Sequence, residues 1–169
     1  MSLYVVLDDK DDVDCLPLEE TKMNVQNWDE RFLKIAEEVS RWSKDPSTKV
    51  GAVIVGDKHQ IVSQGYNGFP RGFQDSLERL ENKEVKYMYT IHAEANALYN
   101  ALYNGVCVDG CTIYVHGLPC CVECAKAIVQ SGIKRVVYDT QSSDRWKQST
   151  EHAFNFFKEA GVEVQYIGE

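Results

Sequence analysis

The sequence predicts an α/β domain of three layers, with helices on both faces of a central mixed five-stranded sheet. Three observations lead there. In the second half, strand-like runs alternate with helical runs of about 10–15 residues, the pattern of crossover units and parallel strands. In the first half, two strand-like runs are separated by Gly56-Asp57-Lys58, which adds a hairpin and makes the sheet mixed. A length of 169 residues with 44% hydrophobic content suits one compact body with a real core.

Residues 1–26 join a short apolar start (Leu3 to Leu7) to an acidic run without repeat or helical period, and they are expected to form an arm outside a domain at 27–169. Trp28, Phe32, Ile35, Val39 and Trp42 recur at steps of four and three, which predicts a helix that buries them as core. Asn27 and Glu30 have the spacing of a capping box at its start, and Asp45-Pro46 closes it, because the residue before proline is driven out of the helical region. Strands are predicted at 49–55 and 59–64, followed by a Gly/Pro-rich loop at 65–72. Residues 76–89 read as partly helical, and 92–104 as an Ala- and Leu-rich helix stopping before Gly105. The remainder alternates: strand 112–115, helix 121–131 closed by Gly132, strand 134–138, helix 148–160 closed by Gly161, strand 162–167.

The formal net charge is −8, from 26 acids against 18 bases, which argues against a general polynucleotide binder. Most of it is local. Residues 1–30 hold nine acids against Lys10 and Lys22, whereas from Arg31 onward 17 acids face 16 bases. No apolar run reaches the ~18–20 residues that span a bilayer, and the start lacks the basic-then-apolar plan of a signal peptide. A cytoplasmic protein is expected, and in that reducing setting the six cysteines are thiols or metal ligands rather than a disulfide framework.

The chemistry concentrates in His92-Ala93-Glu94, opening one helix, and Pro119-Cys120-Cys121-Val122-Glu123-Cys124, opening the next. The two-residue gap lets Cys121 and Cys124 reach one zinc, and with His92 as third ligand the fourth tetrahedral position is left for water. Glu94, two residues from His92, does not share its helix face and is placed to address that water. Helix N-termini stabilise thiolates and lower cysteine pKa, so the placement is chemically apt. His-x-Glu followed by Pro-Cys-x-x-Cys is the signature of zinc nucleobase deaminases. Here the proline stands one residue further off, so a Cys120/Cys124 pair remains an alternative.

The chain resembles the deoxycytidylate (dCMP) deaminases of the cytidine deaminase-like superfamily. The residues at 45–55, 65–72, 92–94, 121–128 and 132–137 carry the likeness, which spans roughly 28–167. The resemblance implies the three-layer α-β-α cytidine deaminase-like fold and one catalytic Zn2+ per subunit held by His92, Cys121 and Cys124. It also implies Glu94 as the proton shuttle for hydrolysis of dCMP to dUMP and ammonia, which supplies dUMP for dTMP synthesis. Asn67 resembles the family asparagine that contacts the nucleoside, and the Ala93 backbone N–H is a candidate donor to the cytosine carbonyl. For the substrate phosphate, Lys49 and Arg71 are the first candidates, with Arg145 a further cation, and Trp146 is a candidate for stacking on the pyrimidine. Many members are hexamers activated by dCTP and inhibited by dTTP. That implies a homo-oligomer with an effector site around Gly65, Tyr66, Asn67 and Gly68, and Mg2+ accompanying a triphosphate effector. Some phage-type members carry a second, structural zinc, for which no clear ligand set is visible.

Blander readings compete at each point. Cys107-x3-Cys111 with Cys121-x2-Cys124 would give a closed four-thiolate zinc, which leaves His-x-Glu unexplained. Cys15 and Cys120 read as bystanders, and His59, His116 and His152 as surface or strand-end residues. The same chemistry could serve free cytidine, a riboflavin precursor or adenosine in tRNA, though the last needs a basic surface that helix 148–160 does not offer. A reading from another class is a catalytically idle, zinc-stabilised nucleotide-binding module, against which Glu94 argues.

Overall fold

The computed structural model describes residues 27–168; the expected acidic arm at 1–26, with Cys15, lies outside the described residues. The elements run α1 (Trp28–Ser40), β1 (Gly51–Val55), β2 (Ile61–Tyr66), α2 (Leu77–Glu81), α3 (Lys83–Tyr89), α4 (Ala93–Tyr103), β3 (Thr112–His116), α5 (Val122–Gln130), β4 (Arg135–Tyr138), α6 (Lys147–Glu159) and β5 (Glu163–Tyr166). The five strands lie in the order β2-β1-β3-β4-β5. β1 runs antiparallel to both β2 and β3, while β3, β4 and β5 are parallel, so the sheet is mixed as expected.

Alternation along the strands sends side chains to two cores. Ala52, Ile54, Ile113, Val115 and Val136 pack against Ala93, Ala97 and Ala101 of α4, Ala125 and Ile128 of α5, and Ala153 and Phe157 of α6. Val53, Val55, Tyr114 and Val137 face the other way, against Phe32, Leu33, Ala36 and Val39 of α1. Two glycines allow the close approach of these layers. A Cβ on Gly51 would stand 2.1 Å from the Ala36 carbonyl oxygen in α1, and one on Gly65 would stand 2.2 Å from the Ala97 nitrogen in α4.

The aromatic stripe of α1 is only partly core. Phe32 and Val39 are buried, but Trp28, Ile35 and Trp42 are 45%, 36% and 51% exposed. The buried face comprises Asp29, Phe32, Leu33, Ala36, Val39 and Ser40. At roughly 100° per residue its centre lies beyond the predicted stripe, which leaves Trp28 and Ile35 on its edge, with Trp42 past the helix end. Trp28 stacks on His59 of the β1–β2 turn instead, with ring centroids 4.2 Å apart. Asn27 caps α1, its side chain accepting from the Asp29 N–H at 3.4 Å.

β1 starts at Gly51 rather than Lys49 because the Val50 N–H is taken by the Asn67 side chain, at 2.8 Å. β2 starts at Ile61 because His59 sits in the turn at φ 61°, and it continues through Gly65 and Tyr66, which were expected in the loop. Asn82 ends α2 and caps α3, accepting from the Glu84 and Val85 N–H groups at 3.1 and 3.2 Å. Gly68 and Ile91 exchange backbone hydrogen bonds of 3.1 and 2.8 Å, which ties the Gly-rich loop to the residue immediately before His92.

Candidate active site and metal centre

Two helix N-termini meet at one cavity. His92 is the N-cap of α4 and Cys121 the N-cap of α5, reached by the loop that leaves the C-terminal end of β3. The Cys121 Sγ accepts from the Cys124 N–H at 3.5 Å, so the turn that caps the helix also folds the two cysteines together. His92 Nδ1 lies 3.4 Å from both Cys121 Sγ and Cys124 Sγ. Among the described residues, this is the one group of three or more His, Cys, Asp or Glu whose donor atoms all lie within 4.8 Å of one another. Ligands ~2.0–2.3 Å from a common tetrahedral centre stand roughly 3.5 Å from each other, so one histidine and two thiols at this spacing fit a single zinc.

The pKa directions agree with that donor set. The hydrogen bond from Cys124 lowers Cys121 to about 4 against its burial, and contact with His92 adds to the shift. The Cys121 hydrogen bond pushes His92 up to about 9. Cys124 moves upward as the partner that keeps its proton for Cys121. The trio holds protons that a metal would displace, as thiolate and imidazole ligands require. Cys120 is not in the trio: it is 1% exposed and lies against Glu94, so the pair facing His92 is Cys121/Cys124. Cys107 and Cys111 line a different cavity with Gly56 and Asp57, so the four-thiolate arrangement does not form.

Glu94, in the first turn of α4, is 3% exposed and lines the same cavity as His92. Burial is the main influence on its carboxyl and raises its pKa. Ala93 is fully buried beside it and also lines the cavity. As the first residue of the helix, its N–H has no intrahelical acceptor. Asn67 lines the cavity while its amide braces the wall: Oδ1 accepts from Val50 N–H at 2.8 Å and Nδ2 donates to the Thr48 carbonyl at 2.9 Å. One amide proton and one oxygen lone pair remain for a ligand. Trp146 lines the same cavity together with Arg145 and Tyr87.

Other expected residues are elsewhere. Lys49 turns to the end of α1, donating to the Arg41 carbonyl at 3.4 Å and to the Ser43 carbonyl. Arg71 donates to the Asn100 side chain and lies 5.1 Å from the Tyr103 ring centroid, on the outer side of α4. Neither lines the cavity, since these partners hold each side chain elsewhere. Gly65 is spent on the close packing of β2 against α4, and the Tyr66 ring lies edge-on to Trp42 at 6.1 Å.

The sequence reading missed a buried ion pair in the cavity wall. Asp45 and Lys86 are 4% and 8% exposed, and the Lys86 Nζ donates to the Asp45 carboxylate at 2.8 Å and to Ser47 Oγ at 2.6 Å. Asp45 also accepts from the Ser47 and Thr48 N–H groups at 2.8 and 3.1 Å. Burial presses its pKa upward, but the hydrogen bonds from Lys86 and Ser47 outweigh it and the net shift is down. Asp45-Pro46-Ser47 is a turn-forming sequence, whereas nothing local marks Lys86.

Residues 26–140 match the family described as the cytidine and deoxycytidylate deaminase zinc-binding region. A deoxycytidylate deaminase of Mus musculus is 45% identical over 142 residues, covering 80% of this chain and 76% of the mouse protein. An uncharacterized deaminase in the luxG 3′ region of Aliivibrio fischeri is 43% identical over 147 residues, 85% of this chain and 95% of that protein. Among solved structures, the dCMP deaminase of cyanophage S-TIM5 in complex with dCMP and dUMP superposes with a TM-score of 0.69 at 30% identity, covering 82% of this chain and 95% of that one.

Proposed function

Because this chain belongs to the cytidine and deoxycytidylate deaminase family, we propose that it is a zinc-dependent hydrolase converting dCMP and water to dUMP and ammonia. The observation that carries the reading is the convergence of His92, Cys121 and Cys124 at a cavity that the buried Glu94 also lines. Those three residues would hold one zinc ion per subunit. When bound, such a metal lowers the pKa of a water towards ~7.

The chain's own groups do the rest. Glu94 takes a proton from the attacking water as its oxygen bonds to C4 of cytosine, and delivers that proton to N3. The remaining proton on the oxygen now bonded to C4 passes through the same carboxylate to the exocyclic nitrogen, and the C4–N4 bond breaks with release of ammonia. Low exposure keeps bulk water from competing for these transfers. The Ala93 N–H, which has no intrahelical acceptor, is the candidate donor to the ring carbonyl, while Asn67 holds the 48–50 wall and offers its remaining amide groups to the sugar.

Regulation by dCTP and dTTP, Mg2+ accompanying the triphosphate, a hexameric state and a cytoplasmic setting belong to the same proposal. Exposed Tyr99, Leu102 and Tyr103 on α4 support self-association. No helix among the described residues is long and apolar enough to cross a membrane.

The deciding experiment measures ammonia release from dCMP, deoxycytidine, cytidine, a riboflavin precursor and tRNA, with and without dCTP and dTTP. Turnover of dCMP above the others is expected. Preference for tRNA or for the riboflavin precursor would overturn the substrate assignment, and no turnover of any of them by zinc-loaded protein would favour a binding module.

A further inference from the structure

We propose that Arg145, held between two aromatic rings at the cavity mouth, reads the 5′-phosphate of the substrate and makes the site selective for a nucleotide over a nucleoside. The proposal rests on the dCMP reading above and adds the residue that distinguishes dCMP from deoxycytidine.

The cavity is graded in depth. Its floor is Glu94 and Ala93, at 3% and 0% exposure, and its rim includes Tyr87 and Trp146, at 49% and 37%. A pyrimidine whose C4 is at the floor therefore presents its sugar and phosphate towards the rim. A phosphate monoester brings about −1.5 to −2 charge there, and the cavity must supply a cation to meet it.

Among the described residues, two long cationic side chains line the cavity, Lys86 and Arg145. Lys86 is already neutralised, because its ammonium sits on the Asp45 carboxylate and Ser47 with almost no exposure. Breaking that buried pair to meet a ligand would strand Asp45 without its counter-charge. Arg145 makes no ion pair among the described residues. Its Cζ lies 5.1 Å from the Tyr87 ring centroid and 4.9 Å from that of Trp146.

Those contacts prepare it for an anion. Stacking uses the flat faces of the guanidinium and leaves its N–H edge available for two parallel hydrogen bonds to phosphate oxygens. The two rings also come from different parts of the chain. Tyr87 belongs to α3, and Trp146 caps α6 after the loop leaving β4. Arg145 thus joins both sides of the mouth, and Trp146 has one ring face committed to the guanidinium.

The test uses the zinc-loaded full chain and its R145A and R145K variants, with steady-state kinetics on dCMP and deoxycytidine and equilibrium binding of dCMP. R145A is expected to raise KM and Kd for dCMP by roughly ten- to a hundredfold, the range of a lost charge-assisted hydrogen bond. Its effect on kcat should be much smaller, so the dCMP-to-deoxycytidine selectivity falls with the rise in KM. R145K, which keeps the charge but loses the fork and the stacking, should recover part of the loss. Wild-type selectivity in R145A would overturn the proposal and assign the phosphate to another group. An equal loss on both substrates would also overturn it, by making Arg145 a support of the mouth rather than a phosphate contact. Wild-type protein that binds dCMP through Arg145 but releases no ammonia would uphold the contact and overturn the reaction.

Discussion

Two buried carboxylates divide the molecule into scaffold and machine. Asp29 and Glu94 are 7% and 3% exposed, and each sits in the first turn of a helix packed on the sheet. Asp29 is fully engaged: Arg135 grips both its oxygens at 2.7 and 2.8 Å, and the Tyr114 hydroxyl donates at 2.8 Å. The Arg135 hydrogen bonds lower its pKa. Among the described residues Glu94 makes no salt bridge to Lys or Arg, and burial raises its pKa against the attraction of His92. The two lie on opposite faces of the sheet and towards opposite ends of its parallel strands. Arg135 starts β4 beside Thr112 at the start of β3, whereas the cysteine loop leaves β3 at its far end. A buried acid locked in a salt bridge holds elements together; one buried without such a bridge is free to exchange a proton with a substrate.

Substitutions should separate the two roles. Glu94→Gln preserves shape and removes the proton carrier, so turnover is expected to fall by ~10²–10⁴-fold. Zinc content by metal analysis should stay at the wild-type level and Tm should not drop. Near-wild-type turnover with full zinc would remove Glu94 from the mechanism. Asp29→Ala should do the reverse, costing about 3 kcal/mol of stability by stranding Arg135 and Tyr114, with kcat per folded, zinc-loaded subunit retained. The pH dependence sharpens the contrast. A carboxyl whose folded pKa is depressed contributes stability above its unfolded value, here 3.8, and loses it as pH falls through the folded pKa. Denaturant melts of wild type and Asp29→Ala should therefore converge below about pH 3.8 and differ fully at pH 6.

How legible each region is in the sequence follows from the distance over which its residues are determined. The His92, Glu94, Cys121 and Cys124 pattern is local, two short motifs at helix starts, and the geometry brings together the three candidate metal ligands. The parallel half of the sheet is legible for the same reason, since each strand and crossover helix carries its own period. The buried face of α1 is not. Steps of three and four mark a helix but do not choose between neighbouring stripes, and burial of Asp29 is decided by Arg135, 106 residues later. The Asp45–Lys86 pair spans 41 residues and leaves no local trace at Lys86. Lys49 and Arg71 stand beside motif loops but do not line the cavity, and proximity in sequence says nothing of where a long side chain ends.

The smallest test concerns a pair between the two extremes. His116, at the end of β3, meets Asp139 at 2.7 Å, with side chains 28% and 21% exposed. Thr140 accepts from the Gly117 N–H at 3.2 Å and donates to Asp139 at 2.9 Å, so the pair fastens the loops that lead to Cys121 and Arg145. The Asp139 hydrogen bond raises the His116 pKa from its ordinary 6.5. A histidine stabilised in its charged form contributes fully below pH 6.5 and loses that contribution as pH rises through its folded pKa. His116→Asn should therefore cost about 1 kcal/mol or less at pH 5.5 in denaturant titrations, and less again at pH 9. Because this pair touches neither the metal trio nor Glu94, its loss is expected to leave zinc content unchanged. A collapse of zinc binding in His116→Asn would mean that the loop fastening, and not the two helix caps alone, sets the spacing of the ligands.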